Sequence, residues 1–147
     1  MKIIRSLLIV LLILTTAFTF SSCKKSGEDA NGFTWTYKGK TYKADIAEMH
    51  FDNTTAMGSH IFATVNGGSG LLFQVYPVIA GTYSFKPSGN NTLTFTDPEG
   101  YQLTGTGTLY ITYAEGNSAS GNFSGTVTDG VAATPISGSF TNIKLGR

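Results

Sequence analysis

No stretch of this chain carries apolar residues at helical spacing over a useful length, and that absence narrows the fold before any motif is considered. Cysteine is almost missing. A single thiol, Cys23, cannot close an intramolecular disulfide and cannot supply the paired cysteines of a zinc ribbon or a redox centre. Charge is sparse, at 13% of residues, and nearly balanced, with ten Lys plus Arg against nine Asp plus Glu. Such a chain offers neither a basic stripe for nucleic acid nor an acidic tail, which argues against a nucleic-acid partner. With only two histidines, His50 and His60, it has little material for a metal centre, and no cofactor motif is expected to be served. No long-period repeat is present, which sets solenoids aside.

What the chain does have begins at its start. Lys2 and Arg5 precede an apolar run from Leu7 to Phe20, and Phe20-Ser21-Ser22-Cys23 then supplies small residues ending in the only thiol. The run is shorter than the roughly 18 residues of a membrane-spanning helix before Ser21, Ser22 and the Lys24-Lys25 pair interrupt it. This order resembles a bacterial lipoprotein signal. The resemblance implies that residues 1–22 are removed, that Cys23 is acylated and becomes the new N-terminus, and that its acyl chains are the membrane partner. Two or more chains are needed for a stable anchor, each buried methylene contributing about 0.8 kcal/mol. Residues 23–31 are then a tether, since Lys24 to Asn31 holds nothing to bury. Its charges, Lys24, Lys25, Glu28 and Asp29, resemble the signals that carry Bacteroidetes-type lipoproteins to the outer membrane, with a plain solvated linker as the alternative reading. The expected location is the bacterial outer membrane, lipid-anchored and facing either the periplasm or the cell surface.

Residues 32–147 are the length of one domain. All 18 glycines, all seven tyrosines and the single tryptophan follow the signal, and short Thr-rich, aromatic-rich segments lie between glycine-bearing turns. Phe33, Trp35 and Tyr37 alternate with Thr34 and Thr36, placing three aromatics on one face of a strand. Lys38-Gly39-Lys40 is a tight turn into Thr41 to Asp45. Ala47, Met49 and Phe51 alternate with Glu48, His50 and Asp52, and Ile61, Ala63 and Val65 continue the pattern. Leu71-Leu72-Phe73 is apolar without alternation, as expected of a strand covered on both faces. Further short strands are expected at Gly81 to Phe85, Thr92 to Thr96, Tyr101 to Thr104, Thr108 to Tyr113, Ser120 to Thr128 and Ile136 to Leu145, with a bulge or bend at Gly105 and Gly107. The total is about nine or ten short strands. Hairpin-length connections predict antiparallel pairing, so the expected fold is an all-β antiparallel β-sandwich, with an up-and-down, lipocalin-like β-barrel as the alternative.

Two strands echo each other, Ser120-Gly121-Asn122-Phe123 and Ser137-Gly138-Ser139-Phe140, which predicts a hairpin in which each glycine lets the partner's ring lie across the backbone. The aromatic strand and Lys-Gly turn of Gly32 to Asp45, then Gly81-Thr82-Tyr83, Gly107 to Tyr113 and this Ser-Gly-x-Phe pair together resemble small Bacteroidetes-type lipoproteins built from a lipoprotein signal and one all-β domain. The resemblance implies shape and address and brings no catalytic residue with it.

Chemistry-bearing residues are few. Glu48, His50 and Asp52 stand at i, i+2 and i+4, so a strand projects all three from one face, with His60 on a neighbouring strand. That row is the candidate for a metal-dependent hydrolase, weighed against a solvated strand face with ordinary charges. Gly67-Gly68-Ser69-Gly70 lacks the spacing of a hydrolase elbow, and Asp97 and Glu99 flank Pro98 as turn residues. Tyrosines exceed what an inner face requires. Trp35, Tyr37, Tyr76 and Tyr110 are the candidates for a surface that stacks on a glycan or docks an envelope protein. The expected function is a membrane-anchored, non-catalytic binding or structural module of the cell envelope.

Overall fold

The structure is a computed structural model that describes residues 32–50, 59–66 and 68–146. Ten strands account for its regular structure, and none of the described residues is helical. In chain order they are β1 (Gly32–Tyr37), β2 (Lys40–Lys43), β3 (Ile46–His50), β4 (His60–Thr64), β5 (Gly70–Gln74), β6 (Gly81–Phe85), β7 (Thr92–Thr96), β8 (Gln102–Glu115), β9 (Ser118–Thr128) and β10 (Ala133–Leu145).

The pairings form a closed ring, β10-β3-β4-β5-β7-β8-β9 and back to β10, so the sheet is a seven-strand barrel rather than the expected sandwich. Antiparallel neighbours alternate in direction, and a ring with an odd number of strands cannot alternate all the way round. One pair must run parallel. It is β3 with β10, joined at Lys144–Glu48 and Leu145–Met49, which corrects the expectation of antiparallel pairing throughout. Following cross-strand partners from Glu48 through Phe62, Leu72, Thr94, Thr104 and Thr128 returns to β10 at Ala133, nearly the whole strand away from Lys144. That stagger tilts the strands steeply against the barrel axis.

The remaining strands attach where two long strands change neighbours. Along one edge β8 pairs with β7 up to Gly105 and with β6 from Gly107 onward. The glycines mark that switch within one continuous strand, instead of the two strands expected. Gly107 has φ +145, and a Cβ there would run into the Ser124 carbonyl of β9. Likewise β10 pairs with β1 through Thr141 and with β3 from Lys144, the change falling on a register shift between Phe140 and Ile143 where Asn142 has φ +51. β1 and β2 thereby cover the side left open where β3 diverges.

Closure fits the barrel alternative expected from the sequence, and core side chains fill the interior. Phe33 stacks on Phe140 at 5.4 Å and 11°, lies 5.8 Å from Phe123 and 6.2 Å from Phe73, and meets Trp35 edge-on at 6.1 Å. Phe73 in turn packs T-shaped on Phe123 at 4.8 Å. These rings are fully or almost fully buried, as period-two alternation in β1, β5, β9 and β10 requires. Leu72 is half-buried on the outer face, so β5 is covered completely on one side only.

Candidate functional site

Three turns meet at one end of the barrel: Lys38-Gly39 between β1 and β2, Asp97 to Tyr101 between β7 and β8, and Asp129 to Ala132 between β9 and β10. They enclose an open basin of about 530 Å³, within the roughly 300–1,000 Å³ of small-molecule sites. Tyr37 is its floor. The ring is 3% exposed and packs edge-on against Phe95 at 4.7 Å, anchoring the basin to the core.

Each wall is held by a specific device. Lys38 takes φ +49 as the first turn residue, and its Nζ lies 5.2 Å from the centre of the Tyr37 ring. A hydrogen bond with the Tyr37 side chain raises the lysine pKa above its ordinary value, and the Glu99 and Asp97 carboxylates add to the effect. Asp97 is buried, and its Oδ1 accepts the backbone N–H groups of Glu99 at 3.0 Å and Tyr101 at 2.9 Å, which turns the chain around Pro98. Asp129 does the same for the third turn. Its Oδ1 accepts the N–H groups of Ala132 at 3.1 Å and Val131 at 2.8 Å, and these hold its pKa below the ordinary value, with Lys38 adding a smaller pull. Tyr101 presents an exposed ring over the same basin. The mouth therefore combines one cation, the Glu99 and Asp129 carboxylates and two tyrosines around a concave floor, a set that can grip a small polar ligand from several sides.

The residues singled out from sequence are dispersed. Cys23, Lys24, Lys25, Glu28, Asp29 and Asp52 lie outside the described residues. Trp35 is a core side chain, 1% exposed and stacked on Tyr42 at 5.6 Å, so it presents no face to a ligand, and Tyr37 offers only the floor of the basin. Tyr76, in the β5–β6 connection, and Tyr110, on the outer face of β8, are both about half exposed. The four aromatics do not share one surface. Glu48 and His50 project outward from β3, with Glu48 Oε2 at 3.3 Å from His50 Nε2, and the His50 ring stacks on its cross-strand partner His60 at 4.7 Å. Among the described residues no group of three His, Cys, Asp or Glu is placed to share a metal ion.

Sequence reasoning treated Lys38, Asp97 and Glu99 as ordinary turn residues and did not single out Asp129. The signal that could have united them is topological, because alternate turns of a meandering sheet fall at the same end of the barrel. Compared with family models, curated proteins and solved structures, the chain gives no match.

Proposed function

We propose that this protein is a lipid-anchored, non-catalytic binding module of the bacterial cell envelope, held to the outer membrane through Cys23 and taking its ligand at the open end of the barrel. The basin walled by Lys38, Glu99, Tyr101 and Asp129 over Tyr37 carries the reading, being a concave site with a few polar groups on rigid strand ends. β1 supports the orientation. It starts at Gly32, next to the tether, and ends at Tyr37 and Lys38 in the basin, so the anchor and the mouth belong to opposite ends of one strand. The likeness to Bacteroidetes-type lipoproteins enters on the same footing, through the order of the signal residues and the glycine-aromatic motifs.

Binding is preferred to the hydrolase alternative because Glu48, His50 and His60 stand on an outward sheet face and line none of the described cavities. The test is a backbone amide NMR titration of the micelle-held protein with soluble peptidoglycan fragments, whose amines and carboxylates suit the mixed charge of the mouth. Shifts concentrated at Lys38, residues 97–101 and residues 129–132 are expected. Shifts elsewhere only, or none, contradict the reading.

A further inference from the structure

We infer that the outer face of β8 at Tyr110 and Tyr113 is a platform that binds a neutral polysaccharide, separate from the basin at the barrel end. Residues three apart on a regular strand face opposite sides, and Tyr110 and Tyr113 should do so. A bulge prevents it. Tyr110 pairs with Asn122 of β9 and Tyr113 with Ser120, the register shifting between Ile111 and Tyr113. Asn122 and Ser120 are two apart and share the outer face, so both tyrosines stand there too, about 7 Å apart along the strand. Burial agrees, with Leu109 and Ile111 at 0% exposure and Tyr110 and Tyr113 at 47% and 44%. Thr112, the extra residue, fixes the bulge by donating its hydroxyl to the Ser120 carbonyl at 3.1 Å. The bulge sets the two rings side by side on the solvated face, while small Ala114, opposite Ala119, takes the inward position that unbroken alternation would give to Tyr113.

The surroundings select the partner. Beside Tyr110 the cross-strand neighbours are Thr82 on β6 and Asn122 on β9, followed by Ser139 on β10. The next row reads Ser84, Thr108, Ser124, Ser137, Thr36 and Thr41, hydroxyls on six consecutive strands. Charge enters at the margins, as Lys43 on β2 and, beyond Tyr113, as Glu115 and Lys144 on either side of Ser118. Stacking faces flanked by neutral donors and acceptors fit the apolar faces and hydroxyl rims of sugar rings, whereas a polyanion or polycation meets no complementary charge here.

Affinity electrophoresis of the full-length lipidated protein in neutral detergent tests this, with a mixed-linkage β-glucan, an α-mannan and a galactan as probes and a polyuronate as the charged comparison. At least one neutral polysaccharide should retard the protein. Tyr110→Ala and Tyr113→Ala should each weaken retention about tenfold or more with unchanged melting temperature, while Tyr→Phe at either position keeps it. Lys38→Ala and Tyr101→Ala, at the barrel end, should leave retention intact. Failure of all three neutral probes, retention of the polyuronate alone, or full retention by the double alanine variant overturns the inference. So does loss of retention only in the barrel-end variants, which would place the sugar in the basin. If sedimentation shows that the tyrosines hold a dimer of this chain and no sugar is bound, the platform is a self-interface and the inference fails.

Discussion

The ring of Phe123 lies across the backbone of Gly138, so close that a methyl group added to the glycine would come within 2.6 Å of the ring's Cε1 atom. The two are cross-strand partners in β9 and β10, and two steps along the same ladder Phe140 covers Gly121 in the reciprocal arrangement. Both rings then pack with Phe33, so the glycines set the depth at which the core closes.

Gly138→Ala should therefore destabilise the fold by about 2 kcal/mol or more, the ring having no free space and the Thr34 carbonyl standing on the same side. The exposed neighbours Ser137→Ala and Ser139→Ala should change stability by less than about 0.5 kcal/mol. Urea unfolding curves of the three variants separate the cases.

Asp97→Ala should cost about 1–3 kcal/mol, because it strands the N–H groups of Glu99 and Tyr101 and removes a buried carboxylate that shapes the mouth. Thermal unfolding measures the loss. Amide resonances should move most from Asp97 to Tyr101.

Asp129 has a folded-state pKa below its ordinary value, so the capping of Val131 and Ala132 is complete above the usual carboxylate range and is lost as pH falls through the depressed value. Hydrogen exchange at those two amides should be flat between about pH 5 and 8, after correction for intrinsic rates, and lose protection only below about pH 4. Asp129→Ala should abolish that protection at every pH.

Tyr83→Phe should loosen the β5–β6 connection. The Tyr83 hydroxyl accepts the N–H of Ile79 at 3.1 Å and lies within donating distance of the Pro77 carbonyl at 2.6 Å and the Ile79 carbonyl at 2.8 Å. Removing it should cost about 1 kcal/mol and speed amide exchange at Ile79.

Much of this architecture was legible because period-two alternation names both the strand and its inner face, as in Phe33, Trp35 and Tyr37. The Phe–Gly pairing was readable from the echoed Ser-Gly-x-Phe motifs. Closure was not. Sandwich and barrel present the same alternation, and the deciding contact is the parallel join of Glu48 and Met49 to Lys144 and Leu145, nearly a hundred residues away in the chain. The basin escaped for a related reason, since Lys38, Glu99 and Asp129 come from three separate turns. Trp35 misled because residue type alone does not say whether a ring stacks on a ligand or, as here, on Tyr42.

The most direct test of an anchored barrel with an outward-facing mouth uses the single cysteine of the sequence, Cys23, which the proposed acylation would block, so that an introduced thiol can be labelled alone. Full-length lipidated protein in liposomes bearing a headgroup energy-transfer acceptor is labelled at Asn31→Cys, in the tether, or at Glu99→Cys, at the mouth. Strong transfer from position 31 and clearly weaker transfer from position 99 is the predicted result. Equal transfer from both positions, or no liposome association with an unmodified thiol at Cys23, would contradict the account.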